Sequence, residues 1–179
     1  MSQVESPASN DDNDLRSIRR GKAQKLAALG VDPWGGRFDD RSAIAEVRAQ
    51  EEEIYYQLEA GDRLPLPRFD QQPEGFNFRQ WKADAGKGEM VGPRVRVAGR
   101  IVLHRDKGKL HFIDVRDMTG DIQLMIGMKQ VGGDWPVVEQ LDLGDIIGVD
   151  GMLGRTNTGE LSIFAERIHF LTKSLETPP

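Results

Sequence analysis

The side chain in this sequence most clearly placed for chemistry is an aromatic, Phe112, in the stretch LHFIDVR at 110–116. Ile113 and Val115 share one parity of a period-two pattern, which puts Phe112 on the opposite parity with Asp114 and Arg116. A bare aromatic on a charged face has no packing reason to be there, but it can stack on a nucleobase. Between 94 and 112 stand Arg94, Arg96, Arg100, Arg105, Lys107 and Lys109, against a single acid, Asp106. Cations in that number can hold a phosphate backbone while the ring holds a base. An ordinary solvated strand face would carry the same arginines, so charge alone does not decide.

Other chemistries find little support. The absence of cysteine excludes disulfides and thiolate metal sites. The three histidines (His104, His111 and His169) lack metal-ligand spacing and read as strand residues. AGKGEM at 85–90 lacks the full glycine–lysine–hydroxyl pattern of a phosphate loop and the apolar strand that should precede it. No pair of carboxylates is spaced to hold ATP and a magnesium ion.

The elements that must position Phe112 follow from alternation. In a first strand, Val95, Val97, Ile101 and Leu103 point inward, while Arg94, Arg96, Arg100 and His104 point outward. The second strand carries Phe112. The third sets Ile122, Leu124 and Ile126 inward and Asp121, Gln123 and Met125 outward. A short helix follows, with Pro136 suited to its first turn. Residues 141–155 predict a fourth strand, TNTG at 156–159 a hairpin turn, and 160–171 a fifth strand with Leu161, Ile163 and Ala165 on one face. Three strands, a short helix and two strands is the order of a five-stranded OB-fold barrel, which presents strands two and three with loops 1–2 and 4–5 to an oligonucleotide or oligosaccharide.

Upstream, 1–13 predict a disordered acidic tail. Asp14 is placed to cap a helix over 15–29 that ends at Gly30, with Leu15, Ile18, Leu26 and Leu29 as its apolar stripe. Its basic remainder (Arg16, Arg19, Arg20, Lys22, Lys25) is suited to a phosphate backbone or to solvent. A second helix is predicted over 42–58, completing a helical extension at 14–60. Residues 61–92 predict an irregular connector packing Phe69, Phe76, Phe78 and Trp81 onto the domain at 93–175. The fold class is mainly β, α+β overall. The net charge of −5 is uneven: 1–14 hold −4, so the remainder is near neutral. No apolar run approaches the ~20 residues of a membrane span, and the polar, acidic N-terminus is no leader peptide, which makes the expected location cytoplasmic.

RRGKAQKLAALGVDPW, the stretch at 97–126, and DLGDIIGVDGMLGRTNTGELSIFAERIHFLTKSL together resemble the N-terminal anticodon-binding region of class II lysyl-tRNA synthetases. FIDVRD is shared with aspartyl and asparaginyl relatives, whereas GRTNTGELSI followed by LTKSL looks like the lysyl member. The resemblance implies that Phe112 stacks an anticodon base, Gln123 reads a base edge, Glu160 accepts from uridine N3–H, and Arg105 contacts a base or phosphate. Arg100, on the same face, would support it. The implied partner is the U-rich anticodon loop of lysine tRNA, read as single-stranded bases. FAER at 164–167 imitates the third class II motif without its glycine-rich lead and belongs to strand five. The catalytic domain, with its ATP and Mg2+, would follow a linker starting at 176–179, and family members are homodimers mainly through that domain. The chain alone would need no cofactor and would not activate lysine. The alternative is a stand-alone OB module for RNA binding or docking.

Overall fold

The computed structural model describes residues 10–67 and 72–176. Five strands close a barrel in the order β4-β5-β6-β8-β7: β4 (Arg94–Asp106), β5 (Leu110–Arg116), β6 (Asp121–Gly127), β7 (Ile146–Arg155) and β8 (Leu161–Thr172). This is the expected OB-fold. All pairings are antiparallel except β6 with β8, a parallel seam of three register pairs: Gln123 with Ser162, Leu124 with Ile163, and Met125 with Phe164. The inward parity packs one core from Val97, Ile101, Ile113, Val115, Leu124, Ile147, Val149, Leu153 and Ile163, each fully buried. Short helices α4 (Met128–Val131) and α5 (Trp135–Val138) lead from β6 towards β7, and Pro136 lies in the first turn of α5.

Two irregularities change the alternation. A bulge between Ile101 and Leu103 shifts the β4 register, so Leu103 turns outward and is 41% exposed. His104, expected outward, instead pairs with inward-facing Ile113. The predicted fourth strand starts five residues late, at Ile146, because 141–145 fold into a turn: the Asp142 N–H donates to Asp145 Oδ2 at 2.8 Å, and Gly144 takes a φ of 93°.

Helix α1 (Asn10–Ala28) begins four residues before the expected cap at Asp14, so 10–13 belong to it; the rest of the predicted tail, 1–9, lies outside the described residues. Gly30, at φ 78°, ends the helix as expected, and Val31 N–H bonds back to the Leu26 carbonyl. Of the predicted stripe, Leu26 alone docks. Arg19, Lys22, Ala23 and Leu26 face the barrel, while Leu15, Ile18 and Leu29 are exposed. Polar bonds set this rotation: Arg19 Nη1 donates to the carbonyls of Ser174 and Glu176, and Lys22 pairs with Asp142. With Arg16 also paired to Glu176, three of the five cations proposed for a phosphate backbone are already engaged.

The second predicted helix is mostly something else. α2 (Ile44–Ala49) is followed by a 3-10 turn (Gln50–Glu53) and then β1 (Tyr55–Leu58). Two tyrosines favour a strand where the apolar spacing alone allowed a helix. The expected irregular connector is ordered where described. β2 (Arg63–Pro65) and β3 (Gly88–Val91) flank β1 in an antiparallel sheet, and α3 (Phe78–Ala85) is capped by the Asn77 side chain. Phe78 stacks on Trp81 with centroids 5.6 Å apart, and Tyr56 meets Trp81 edge-on, so these aromatics form a core for the small sheet. Phe69 lies outside the described residues. Gly92 joins the two sheets where a Cβ would sit 1.9 Å from the Leu153 carbonyl oxygen.

Candidate nucleic-acid interface

Register converts the outward parity into rows across the barrel. Arg105 on β4 pairs with Phe112 on β5, Phe112 with Met125 on β6, and Met125 with Phe164 on β8. The next row runs Leu103, Asp114, Gln123, Ser162, and the third runs Arg100, Arg116, Asp121. Adjacent rows are two strand residues, about 7 Å, apart. Phe112 is half-buried, which leaves part of its side chain open to solvent.

Gln123 is fixed by Ser162, a fully buried residue of β8. The serine hydroxyl donates to Gln123 Oε1 at 2.9 Å and lies 3.2 Å from the Glu160 carbonyl. That network leaves the amide NH2 of Gln123 as its unspent donor. Glu160 is exposed and follows the β7–β8 hairpin, whose turn closes through Gly159 N–H to the Thr156 carbonyl and Thr156 N–H to the Glu160 carbonyl. Arg105, Phe112, Gln123 and Glu160 therefore share one continuous face. Arg100 lies two rows from Phe112 and donates through Nη1 to the Gly144 carbonyl at 2.9 Å, which makes it a strut to the turn before β7.

The basic strand face is smaller than the sequence implies. Arg94 pairs with Glu166, and Arg96 makes two bonds to Asp150 while lying over the Phe38 ring at 4.0 Å. The positive charge open to a ligand is concentrated at the β4–β5 hairpin, where Arg105, Lys107 and Lys109 are all exposed. Asp106 shapes that hairpin by accepting from Gly108 N–H at 2.7 Å, with Gly108 at φ 72°.

Several supporting residues escaped the sequence reading. Arg155, 7% exposed, bonds the Gly159 carbonyl and pairs with Glu51 of the 3-10 turn. Lys82 of α3 donates to Asn157 Oδ1 at 2.5 Å. The hairpin carrying Glu160 is thus braced from both the helical segment and the small sheet. Arg155 was detectable: it shares the inward parity of Leu153, and a buried guanidinium requires partners. Asp114, beside Gln123, has a buried Oδ1 with no hydrogen-bond partner among the described residues.

Beneath the β4–β5 hairpin, the imidazoles of His104 and His111 meet at 3.0 Å, with His111 Nε2 3.2 Å from Asp106 and the Trp135 ring edge-on to His111. Burial lowers the pKa of His104, the adjacent His111 lowers it further, and Asp106 opposes both. Below about pH 6.5 the unfolded chain takes up a proton that folded His104 resists. Its contribution to stability is therefore present above about pH 6.5 and is lost as pH falls towards its lower folded value. Urea midpoints are expected to drop more steeply between about pH 7.5 and 5.5 in the wild type than in His104→Gln. Parallel profiles would exclude this titration as a determinant of stability. Among the described residues, no group of three or more acidic or imidazole side chains is placed to hold a metal ion, and no helix is long and apolar enough to cross a membrane.

The barrel sequence has relatives among known proteins. Residues 95–171 match the family described as OB-fold nucleic acid binding domain, of the tRNA anticodon type. The lysine–tRNA ligases of Staphylococcus aureus strains Mu3, N315 and USA300 are each 36% identical to this chain over 172 residues. The aligned region covers 96% of this chain and 29% of each ligase, so the chain spans under a third of the length of these relatives. Its barrel, from 95 to 171, thus belongs to the anticodon-type OB-fold nucleic-acid-binding family, and the chain is homologous to the N-terminal region of lysine–tRNA ligases.

Proposed function

We propose that this chain binds the anticodon loop of lysine tRNA and reads its uridines on the face formed by β5, β6 and the β7–β8 hairpin. The observation that carries this reading is the row in which Phe112 stands between Arg105 and Met125, one row from Gln123 and its buried anchor Ser162. A base stacked on Phe112 turns its edge towards the adjacent row. Uridine offers O4 to the Gln123 amide NH2 and N3–H to the Glu160 carboxylate, which accepts without being left unpaired. Cytidine presents an amino group and a bare ring nitrogen at these two positions, so both contacts become mismatched. The exposed cations of the β4–β5 hairpin hold the backbone and set orientation.

In the longer protein this domain would orient tRNA while a separate domain uses ATP and Mg2+ to activate lysine and transfer it to the tRNA 3′ end in the cytoplasm, in a homodimer. The test is a titration of this chain with a lysine-tRNA anticodon stem-loop and with its central-cytidine counterpart, at two salt concentrations. A preference for uridine of about 1–3 kcal/mol is expected. Equal and strongly salt-dependent affinity would mean that only phosphates are bound. The anticodon reading would then give way to a general RNA-binding module.

A further inference from the structure

The outward face continues past Gln123. Two residues upstream, Asp121 opens β6, and its carboxylate takes the fork of Arg116, with Nε and Nη2 each 2.6 Å from an oxygen. The Asp121 backbone carbonyl accepts from Arg48 Nη1 at 3.1 Å. Arg48 lies on α2, and three residues later Glu51 pairs with Arg155, which bonds the carbonyl of Gly159, the residue before Glu160. The segment 48–51 therefore bridges the start of β6 and the hairpin that carries Glu160. Between α2 and the β5–β6 turn lies an open hollow of about 660 Å3, lined by Ala45, Arg48, Arg116, Thr119, Gly120 and Asp121.

Two guanidinium groups and two carboxylates surround this hollow, and what distinguishes them is how each is engaged. Arg116 and Asp121 neutralise each other. Asp117, at the rim, spends one oxygen on Ile44 N–H and the other on the Thr119 hydroxyl and the N–H groups of Thr119 and Gly120. Arg48 is exposed, and among the described residues no ion pair engages it. One of its five N–H donors is used, on a neutral carbonyl. What remains is a guanidinium with open donors, the geometry that recognises phosphate oxygens. The hollow begins about 7 Å along the strand from Gln123, a span that one neighbouring nucleotide covers.

We propose that Arg48 holds the phosphate of a nucleotide flanking the bases read at Phe112 and Gln123, in the hollow between α2 and the β5–β6 turn. This inference rests on the anticodon reading. It gives the helical segment ahead of the barrel a direct part in RNA binding, where the sequence pointed to α1.

The test titrates wild type, Arg48→Gln and Arg48→Lys with the lysine-tRNA anticodon stem-loop at several salt concentrations. A parallel series of stem-loops carries one neutral methylphosphonate at each position in turn. Arg48→Gln is expected to bind several-fold more weakly, with a salt slope shallower by about 0.7–1. Arg48→Lys should keep the wild-type slope, which separates charge from folding. One methylphosphonate beside the triplet should weaken the wild type several-fold and leave Arg48→Gln unchanged. An unaltered slope in Arg48→Gln, or methylphosphonate losses that simply add to those of the variant, would overturn this inference alone. A wild type without uridine preference would overturn the anticodon reading and this inference with it.

Discussion

Replacing Lys173 with alanine is expected to destabilise the domain by about 3–5 kcal/mol, the usual consequence of stripping the counter-ion from a buried charge. The Lys173 side chain is wholly shielded from solvent, and its ammonium spends all three donors: on the Gln140 carbonyl at 2.9 Å, Asp142 Oδ2 at 2.6 Å and Asp145 Oδ2 at 2.8 Å. Asp145 is itself fully buried and also accepts from the N–H groups of Ser174 and Asp142. The two carboxylates sharing the lysine differ for a clear reason. Burial raises the Asp145 pKa, and Lys173 only partly opposes it. Burial also pushes Asp142 up, but Asp142 has both Lys173 and Lys22 beside it, and together they hold it below the ordinary carboxylate range. In Lys173→Ala, Asp145 must either remain charged without a cation or take up a proton. Urea unfolding at neutral pH would measure the loss, which should shrink on acidification as Asp145 becomes neutral. Adding Asp145→Asn to Lys173→Ala should recover part of the stability at neutral pH. A single-variant loss below about 1 kcal/mol, insensitive to pH, would show that the cluster is not a buried ion network.

Phe112→Ala should cost about 1–3 kcal/mol of stem-loop affinity, a loss of roughly 5- to 150-fold. Folding should be little affected, because the ring lies on the outer surface and contributes nothing to the barrel core. The readout that distinguishes stacking from mere contact is the salt dependence. Losing a stacked base leaves the number of neutralised phosphates unchanged, so the slope should hold while the intercept falls. Phe112→Tyr or Phe112→Trp, which keep a flat π-face, should retain most of the affinity. An alanine variant that binds as tightly as the wild type would remove Phe112 from the interface.

Legibility in the sequence followed the length of the repeating signal. β4, β5 and β6 alternate over seven or more residues, and their faces were readable except where the bulge after Ile101 inserted a residue that no periodicity announces. The small sheet was missed because its strands span three or four residues, too short to alternate, and pair across a long loop. The rotation of α1 was missed for another reason. Its apolar side chains suggested one docked face, but carbonyls at 174 and 176 and the carboxylate of Asp142 selected another, and these partners are distant in sequence. At the interface, Phe112 stood out because its residue type conflicts with its parity. Arg105 and Gln123 are ordinary surface residues until register places them beside it. The brace from Glu51 to Arg155 joins residues 104 positions apart, and only the folded chain brings them together.

The parallel seam between β6 and β8 gives the interface a second role. It is the shortest ladder in the barrel, three pairs against the ten that join β7 and β8. Gln123, Met125, Ser162 and Phe164, which adjoin the proposed base-reading residues, belong to the pairs that make this closure. An RNA strand lying across them touches both lips of the seam at once. Any ligand that binds only the closed barrel raises the cost of opening it, by an amount that grows with the logarithm of its concentration above Kd. Local breathing and recognition are thereby joined in one thermodynamic cycle, with the free domain opening most readily along the line that its cargo would suture.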